Sequence, residues 1–219
     1  MTKKRIGVVL SGCGVQDGSE IHEATLTLYF LDRAQAGAVP MAPNVLQQSV
    51  VNHLTGQQTS ETRHVLVESA RIARGNIQDL ALVRAEDLDG IILPGGFGAA
   101  KNLSSIASDG ANAWVNEDLH KLLVELHRSG KPIGAICIAP MLVSKVLSGL
   151  GVALTIGDDA QTAKEMEAMG NRHQNSTVDQ IVIDHANKIV TTAAYMCATS
   201  IGEAGIGIEK LVSALLEMA

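Results

Sequence analysis

Short runs of Val, Ile and Leu alternate along this chain with longer segments that have helical periodicity. Residues 5–10, 90–93 and 132–136 are the clearest of these apolar runs. Such alternation is typical of parallel strands joined by crossover helices, so we expect an α/β fold with a mostly parallel central sheet. The 219 residues contain no internal repeat, low-complexity tract or linker, which favours one domain over residues 1–219.

The composition argues against several classes of partner. The net charge of −6 opposes binding to phosphate backbones, and one Trp, two Tyr and two Phe offer few stacking platforms for single-stranded nucleic acid. The apolar run near the N-terminus is too short for a signal peptide or a membrane span. Three cysteines without a paired motif indicate a reducing compartment. We therefore expect a soluble cytoplasmic protein that binds neither nucleic acid nor membranes.

Cys137 follows the apolar run 132–136 and precedes a segment of helical character, residues 139–147. A side chain at such a strand-to-helix turn stands above the end of the sheet, as does the serine of a nucleophile elbow. The free N–H groups and the dipole of the next helix favour a thiolate there. Cys137 is therefore the candidate nucleophile, and the alternative is a small core residue.

Two glycine-containing segments are expected to meet Cys137 at the carboxyl edge of the sheet, where open α/β sheets bind ligands. One is the loop 11–19 and the other is Pro94-Gly95-Gly96. Glycine lets the backbone approach a ligand closely. We expect the N–H groups of Gly96 and Ile138 to form an oxyanion hole, and such donors are worth about 3–4 kcal/mol.

Glu20 and Glu23 lie one turn apart at the start of a predicted helix, residues 20–35, and either could approach Cys137. A protonated carboxyl at that place would donate a hydrogen bond to a thiolate and could shuttle a proton. The alternative is that both are solvated residues that stabilise the helix N-terminus. His22 is the only histidine expected near the site.

The other chemistry-bearing residues have simpler interpretations. We expect Cys13 to be structural, and Cys197 to pack within a final helix over residues 195–218. The histidines lack metal-ligand spacing, so no metal is expected. Gly12 and Gly14 lack the third glycine of a dinucleotide fingerprint, so no cofactor is expected. The polar segment 44–60 is predicted to be an insertion loop.

Three motifs, at residues 11–23, 94–104 and 137–140, resemble the ElbB-type branch of the PfpI-type, class I glutamine amidotransferase-like superfamily. The likeness extends over essentially the whole chain. It implies a flavodoxin-like three-layer sandwich, a homodimer and a link to isoprenoid biosynthesis.

The resemblance also implies a cofactor-independent, glutathione-independent glyoxalase that converts glyoxal, a small aldehyde, to glycolate. Cys137 is then the nucleophile, Glu23 its acid–base partner, and Gly96 and Ile138 the oxyanion donors. Four further residues are expected to support the site: Glu20, Gly95, His22 and Cys13.

The chain departs from hydrolytic relatives at two points. Ile138 stands where peptidase-like members have His, and the late His-x-Glu triplet of glutamine amidotransferases does not occur. Glutaminase and protease activity are therefore not expected. The rival hypothesis is a binding or redox-sensing protein in which Cys137 is modified and a partner recognises the change.

Overall fold

A seven-stranded sheet forms the centre of the fold in the computed structural model, which describes residues 3–219. The strands are β1 (Arg5–Val9), β2 (Gly37–Ala42), β3 (Val51–Asn52), β4 (Gln57–Gln58), β5 (Gln78–Asp79), β6 (Gly90–Leu93), β7 (Ile133–Ile136), β8 (Ala153–Leu154), β9 (Arg172–His173), β10 (Ile181–Asp184) and β11 (Ile189–Thr192). The α-helices are α1 (Ile21–Arg33), α2 (Val65–Ile72), α3 (Phe97–Lys101), α4 (Ile106–Asp109), α5 (Glu117–Arg128), α6 (Pro140–Val146), α7 (Ala160–Ala168) and α8 (Ile201–Met218).

The central sheet has the strand order β10-β11-β7-β6-β1-β2-β5. Every neighbouring pair is parallel except β10 and β11, which are antiparallel. The strands β3 and β4 form a separate antiparallel hairpin, and β8 and β9 form a short parallel pair. The predicted α/β fold with a mostly parallel sheet is confirmed.

Helices cover both faces of this sheet. Successive strand side chains point to opposite faces, so Ile91 and Leu93 enter one apolar core while Ile92 enters the other. The helices α3 to α7 contribute to the first core, and α1, α2 and α8 to the second. The result is the expected flavodoxin-like three-layer sandwich.

The first turn of α1 fixes the residues that matter for the site. Glu20 is the N-cap, and its carboxylate accepts a hydrogen bond from the Glu23 N–H at 2.7 Å. Ala24, Thr27 and Leu31 are fully buried along one side of the helix, and α1 packs against α8. This packing holds the start of α1 over the carboxyl edge of the sheet.

Two segments differ from their predicted structure. Residues 44–60 contain the hairpin β3–β4 instead of an irregular loop. The final helix begins only at Ile201, where the Ser200 hydroxyl caps it, and a 3-10 turn occupies Ala194–Met196. Cys197 therefore lies between the two, and its predicted place inside the helix is wrong. Within residues 3–219 no helix combines the length and apolar character needed to cross a membrane.

Candidate active site

Cys137 occupies a strained turn between β7 and α6. Its φ angle is +61°, in the left-handed region, which costs a residue with a Cβ about 1–2 kcal/mol. Its N–H donates to the carbonyl oxygen of Thr192, at the end of β11, at 2.9 Å. Backbone strain of this kind collects at functional sites. It favours a nucleophile elbow over the alternative of a simple core cysteine.

Glu23 is the carboxyl that faces this thiol. Its side chain is fully buried and adjoins Cys137, because a Cβ at Gly95 would touch both the Cys137 Cβ and Oε2 of Glu23. Oε2 accepts a hydrogen bond from the Gly95 N–H at 2.9 Å, and Oε1 accepts one from the Tyr195 N–H at 3.3 Å. Glu20 instead caps the helix, so Glu23 is the carboxyl of the two that lies beside Cys137.

Two glycines allow the backbone to pass between these groups. A Cβ at Gly95 would lie 2.6 Å from the Cβ of Cys137 and 2.8 Å from Oε2 of Glu23. Gly96 has a φ of +95°, and a Cβ there would overlap the Glu20 nitrogen. The amide N–H groups of Gly96 and Ile138 lie close enough to the Cys137 sulfur to favour its thiolate form. The close contacts at Gly95 and the positive φ of Gly96 mean that both positions require glycine. The segment Pro94-Gly95-Gly96 therefore shapes the site as well as forming a turn.

Burial dominates the electrostatics of the pair. Burial, and then the charge of Glu20, raise the pKa of Glu23 to about 8, against the two backbone amides that lower it. Burial and the Glu23 carboxylate also raise the pKa of the Cys137 thiol, although the amides of Gly96 and Ile138 favour the thiolate. Burial and the Glu23 charge therefore outweigh the helix dipole, which alone would favour a thiolate at Cys137. At neutral pH the pair holds its protons and titrates as a unit.

A second hydrogen-bonded pair lies beside the first. The Nδ1 atom of His22 is 2.7 Å from the Tyr195 hydroxyl and 3.9 Å from Oε1 of Glu20. His22 is half exposed and contacts Tyr195 rather than the thiol. Tyr195 was not among the site residues predicted from the sequence. It follows β11 by three residues, so the rule that ligands gather at the carboxyl ends of strands could have found it.

Asn102 holds the glycine loop 11–19 in place. Its amide nitrogen donates to the carbonyl oxygens of Ser11 at 2.8 Å and Asp17 at 2.9 Å, and its oxygen accepts from the Gln48 N–H at 2.9 Å. This buried residue was also missed by sequence analysis. It ties α3, the glycine loop and segment 44–60 together.

The segment 44–60 is hydrogen-bonded to the glycine loop 11–19. The Asp17 carboxylate accepts a hydrogen bond from the Val51 N–H at 2.7 Å. The Gln47 side chain donates to the Asp17 carbonyl oxygen at 3.1 Å. The insertion therefore supports the loop that lies beside Gly96 and Gly98.

Cys13 lies in the glycine loop but faces different neighbours. Burial, and then the charge of Glu68, raise the pKa of its thiol, with Arg71 opposing them. Glu68 and Arg71 are both on α2, so Cys13 is not part of the Cys137–Glu23 pair. Within the described residues 3–219, no group of three or more His, Cys, Asp or Glu side chains is arranged to hold a metal ion.

A strained cysteine elbow with a buried carboxyl partner, at the carboxyl edge of a flavodoxin-like sheet, defines a class I glutamine amidotransferase-like protein. Residues 15–201 match the DJ-1/PfpI family, and the chain belongs to that family. The expected superfamily is confirmed.

Known relatives are similar over almost the whole chain. A human protein, glutamine amidotransferase-like class 1 domain-containing protein 3, mitochondrial, is 46% identical, over 98% of this chain and 83% of that protein. The rat ES1 protein homolog, mitochondrial, is 44% identical, over 99% of this chain and 84% of that protein. An isoprenoid biosynthesis protein with an amidotransferase-like domain from Ehrlichia chaffeensis has a crystal structure that superposes with a TM-score of 0.92. It is 36% identical, covering 98% of this chain and 99% of that chain.

These relatives correct one expectation. The prediction of a cytoplasmic protein is wrong, because the human, rat and zebrafish relatives are mitochondrial proteins by name. Few, unpaired cysteines indicate a reducing environment, and the cytoplasm is not the only such compartment.

Proposed function

We propose that this protein is an ElbB-type glyoxalase that converts glyoxal to glycolate without glutathione. The observation that carries the proposal is the position of Cys137 and the buried Glu23 carboxyl against the same face of Gly95, which puts a nucleophile and an acid–base group side by side. The similarity to the Ehrlichia protein, which is named for isoprenoid biosynthesis, supports the ElbB-type assignment.

The first step is addition of the thiol to the substrate. The Cys137 sulfur forms a bond to one carbonyl carbon of glyoxal, and the π bond of that carbonyl breaks. In the form of the pair that has lost one proton, Glu23 accepts the thiol proton and passes it to the carbonyl oxygen, which gives a hemithioacetal. The amides of Gly96 and Ile138, which favour negative charge on the sulfur, would then stabilise the charged oxygen on the attached carbon.

The second step moves a proton between the two carbons. The Glu23 carboxylate removes the C–H proton of the hemithioacetal carbon, which gives an enediolate, and returns the proton to the neighbouring carbon while the hydroxyl proton moves to the enediolate oxygen. The product is a thioester of glycolate on Cys137, and water hydrolyses it to glycolate and the free thiol. The overall reaction adds one water to glyoxal and needs no oxidant. A carboxyl with a pKa of about 8 suits both directions of transfer near neutral pH.

The test is glycolate formation from glyoxal, without glutathione, by the wild type, Cys137→Ala and Glu23→Gln. We expect each substitution to reduce kcat/KM by roughly 100-fold or more. Cys197→Ala is the matched control, since this thiol lies outside the site and its loss should leave the rate unchanged. Wild-type activity in Cys137→Ala would overturn the proposal.

The expected homodimer stays a prediction, and the mass of the protein in solution tests it.

A second candidate function is redox sensing through Cys137. The amides of Gly96 and Ile138 that favour the thiolate would also stabilise an oxidised, anionic sulfur. However, peroxide reacts with the thiolate, and burial raises the pKa of this thiol. The geometry therefore favours the enzyme. Stoichiometric sulfinic acid at Cys137 after mild peroxide, together with negligible turnover, would favour sensing instead.

A further inference from the structure

Tyr195 is attached at two points to adjacent residues of one helix. Its backbone N–H donates to Oε1 of Glu23 at 3.3 Å, and its hydroxyl is 2.7 Å from Nδ1 of His22. Glu23 and His22 both lie in the first turn of α1. The preceding residue, Ala194, has a φ of +40°, which a residue with a Cβ rarely adopts.

We propose that the His22–Tyr195 side-chain hydrogen bond is a positioning device that holds the Tyr195 amide against the Glu23 carboxyl. Only the expected change in kcat/KM rests on the proposed function, because the inference itself concerns the ionisation of Glu23. His22 and Tyr195 are positioning residues that act through Glu23.

The backbone geometry explains why this amide needs support. The turn Ala194–Met196 carries the strain of Ala194, and the N–H of Tyr195 is already at the long end of the hydrogen-bonding range. A small rotation toward ordinary φ values would carry that N–H away from Oε1. The Tyr195 hydroxyl, tied to α1, opposes the rotation.

The protonation state of Tyr195 fits this role. Burial, and then the charges of Glu20 and Glu23, raise the pKa of the Tyr195 phenol, so it stays neutral at working pH. A neutral hydroxyl can either donate a hydrogen bond to Nδ1 of His22 or accept one from it.

The groups that face Glu23 have opposite effects on its ionisation. The Glu20 carboxylate, on the same helix, raises the pKa of Glu23, and the Tyr195 amide, from the turn after β11, lowers it. The Cys137 thiol, from the elbow, and the Gly95 amide, after β6, also favour the charged carboxylate. Loss of the Tyr195 amide should therefore raise the pKa of Glu23, and loss of the Glu20 charge should lower it.

The experiment compares the pH dependence of the wild type, Tyr195→Phe, His22→Ala and Glu20→Gln. One readout is kcat/KM for glyoxal, and the other is the rate at which iodoacetamide alkylates Cys137, followed by peptide mass spectrometry. The second readout needs no turnover. Both rates should rise with pH as the Cys137–Glu23 pair loses its first proton.

In Tyr195→Phe and His22→Ala we expect this rise to move to higher pH, with a roughly fivefold lower rate at neutral pH and an unchanged plateau at high pH. Glu20→Gln keeps the cap acceptor and should move the rise to lower pH. His22→Asn places an amide, which can accept or donate a hydrogen bond, near the position of Nδ1. This variant should therefore recover most of the wild-type profile.

The two readouts separate the two proposals. An alkylation profile in Tyr195→Phe that coincides with the wild type would overturn the inference, whatever the enzyme does with glyoxal. A wild type that forms no glycolate, with an alkylation profile that still moves in Tyr195→Phe, would refute the glyoxalase and support the positioning device.

Discussion

Replacing Glu23 by Gln should remove most of the dependence of this protein's stability on pH between pH 5 and 8. Burial raises the pKa of Glu23 from 4.5 to about 8 in the folded state. The folded protein therefore binds more protons than the unfolded chain in this range, and stability falls as the pH rises. The contribution of the protonated carboxyl is fully present below about pH 4.5 and is lost as the pH passes 8.

The size of the effect follows from the shift. At 1.36 kcal/mol per pKa unit, the rise to about 8 is worth roughly 5 kcal/mol in total. About 3–4 kcal/mol of this falls between pH 5 and 8. The Cys137 thiol adds nothing in that window, because its pKa is raised from a value of 9.0. For a domain of ordinary stability, the effect is a large share of the free energy of unfolding.

The measurement is urea unfolding of the wild type and Glu23→Gln at pH 5, 6, 7 and 8. All other titrating groups are common to both proteins, so the difference between the two curves isolates Glu23 and its coupling to neighbours. Glu125→Gln, at an exposed position of α5, is the matched control and should parallel the wild type. Parallel curves for the wild type and Glu23→Gln, within about 0.5 kcal/mol, would refute the burial argument.

Three other substitutions test the geometry of the site. Cys137→Gly should be about 1 kcal/mol more stable than Cys137→Ala in urea unfolding, because only glycine adopts a φ of +61° without strain. Gly95→Ala should lower the melting temperature and destabilise the fold by roughly 3 kcal/mol, because its Cβ would lie 2.6 Å from that of Cys137. Asn102→Ala leaves the carbonyl oxygen of Ser11 without its donor and the Gln48 N–H without its acceptor. We expect a loss of roughly 3 kcal/mol and faster proteolysis of the glycine loop.

The fold could be predicted because its signals are local. Each core strand is a short apolar run, and each long helix has the period of a buried stripe. Cys137 was found in the same way, from its place between a strand and a helix. The boundaries were less certain, since caps decide them: Asn116 accepts the N–H groups of Asp118 and Leu119 and starts α5 at Glu117.

The parts of the site that sequence reasoning missed depend on contacts between distant residues. Tyr195 meets Glu23 across 172 residues, and Asn102 meets Ser11 across 91. The choice between Glu20 and Glu23 needs the exact first residue of α1, because a carboxylate at the N-cap turns back to the helix and one three residues later does not. The raised pKa of the Cys137 thiol could not be predicted either, because it results from burial, and burial cannot be judged from the sequence of the elbow alone.

Burial of the pair explains how a thiol and a carboxyl can share a site. An exposed carboxyl beside an exposed thiol would be charged at neutral pH and could not give a proton to a substrate. Here burial makes each charge costly, and the amides of Gly95, Gly96, Ile138 and Tyr195 offset only part of that cost. Removal of one proton leaves a single negative charge, which these four backbone amides favour, and one proton that the thiol and the carboxyl share. A pair in that state can add sulfur to a carbonyl and supply the proton in the same step, which a free thiolate cannot do. The strained elbow at Cys137 and the glycines at positions 95 and 96 bring the thiol and the carboxyl together. The same backbone geometry therefore determines both where the pair lies and how it exchanges protons.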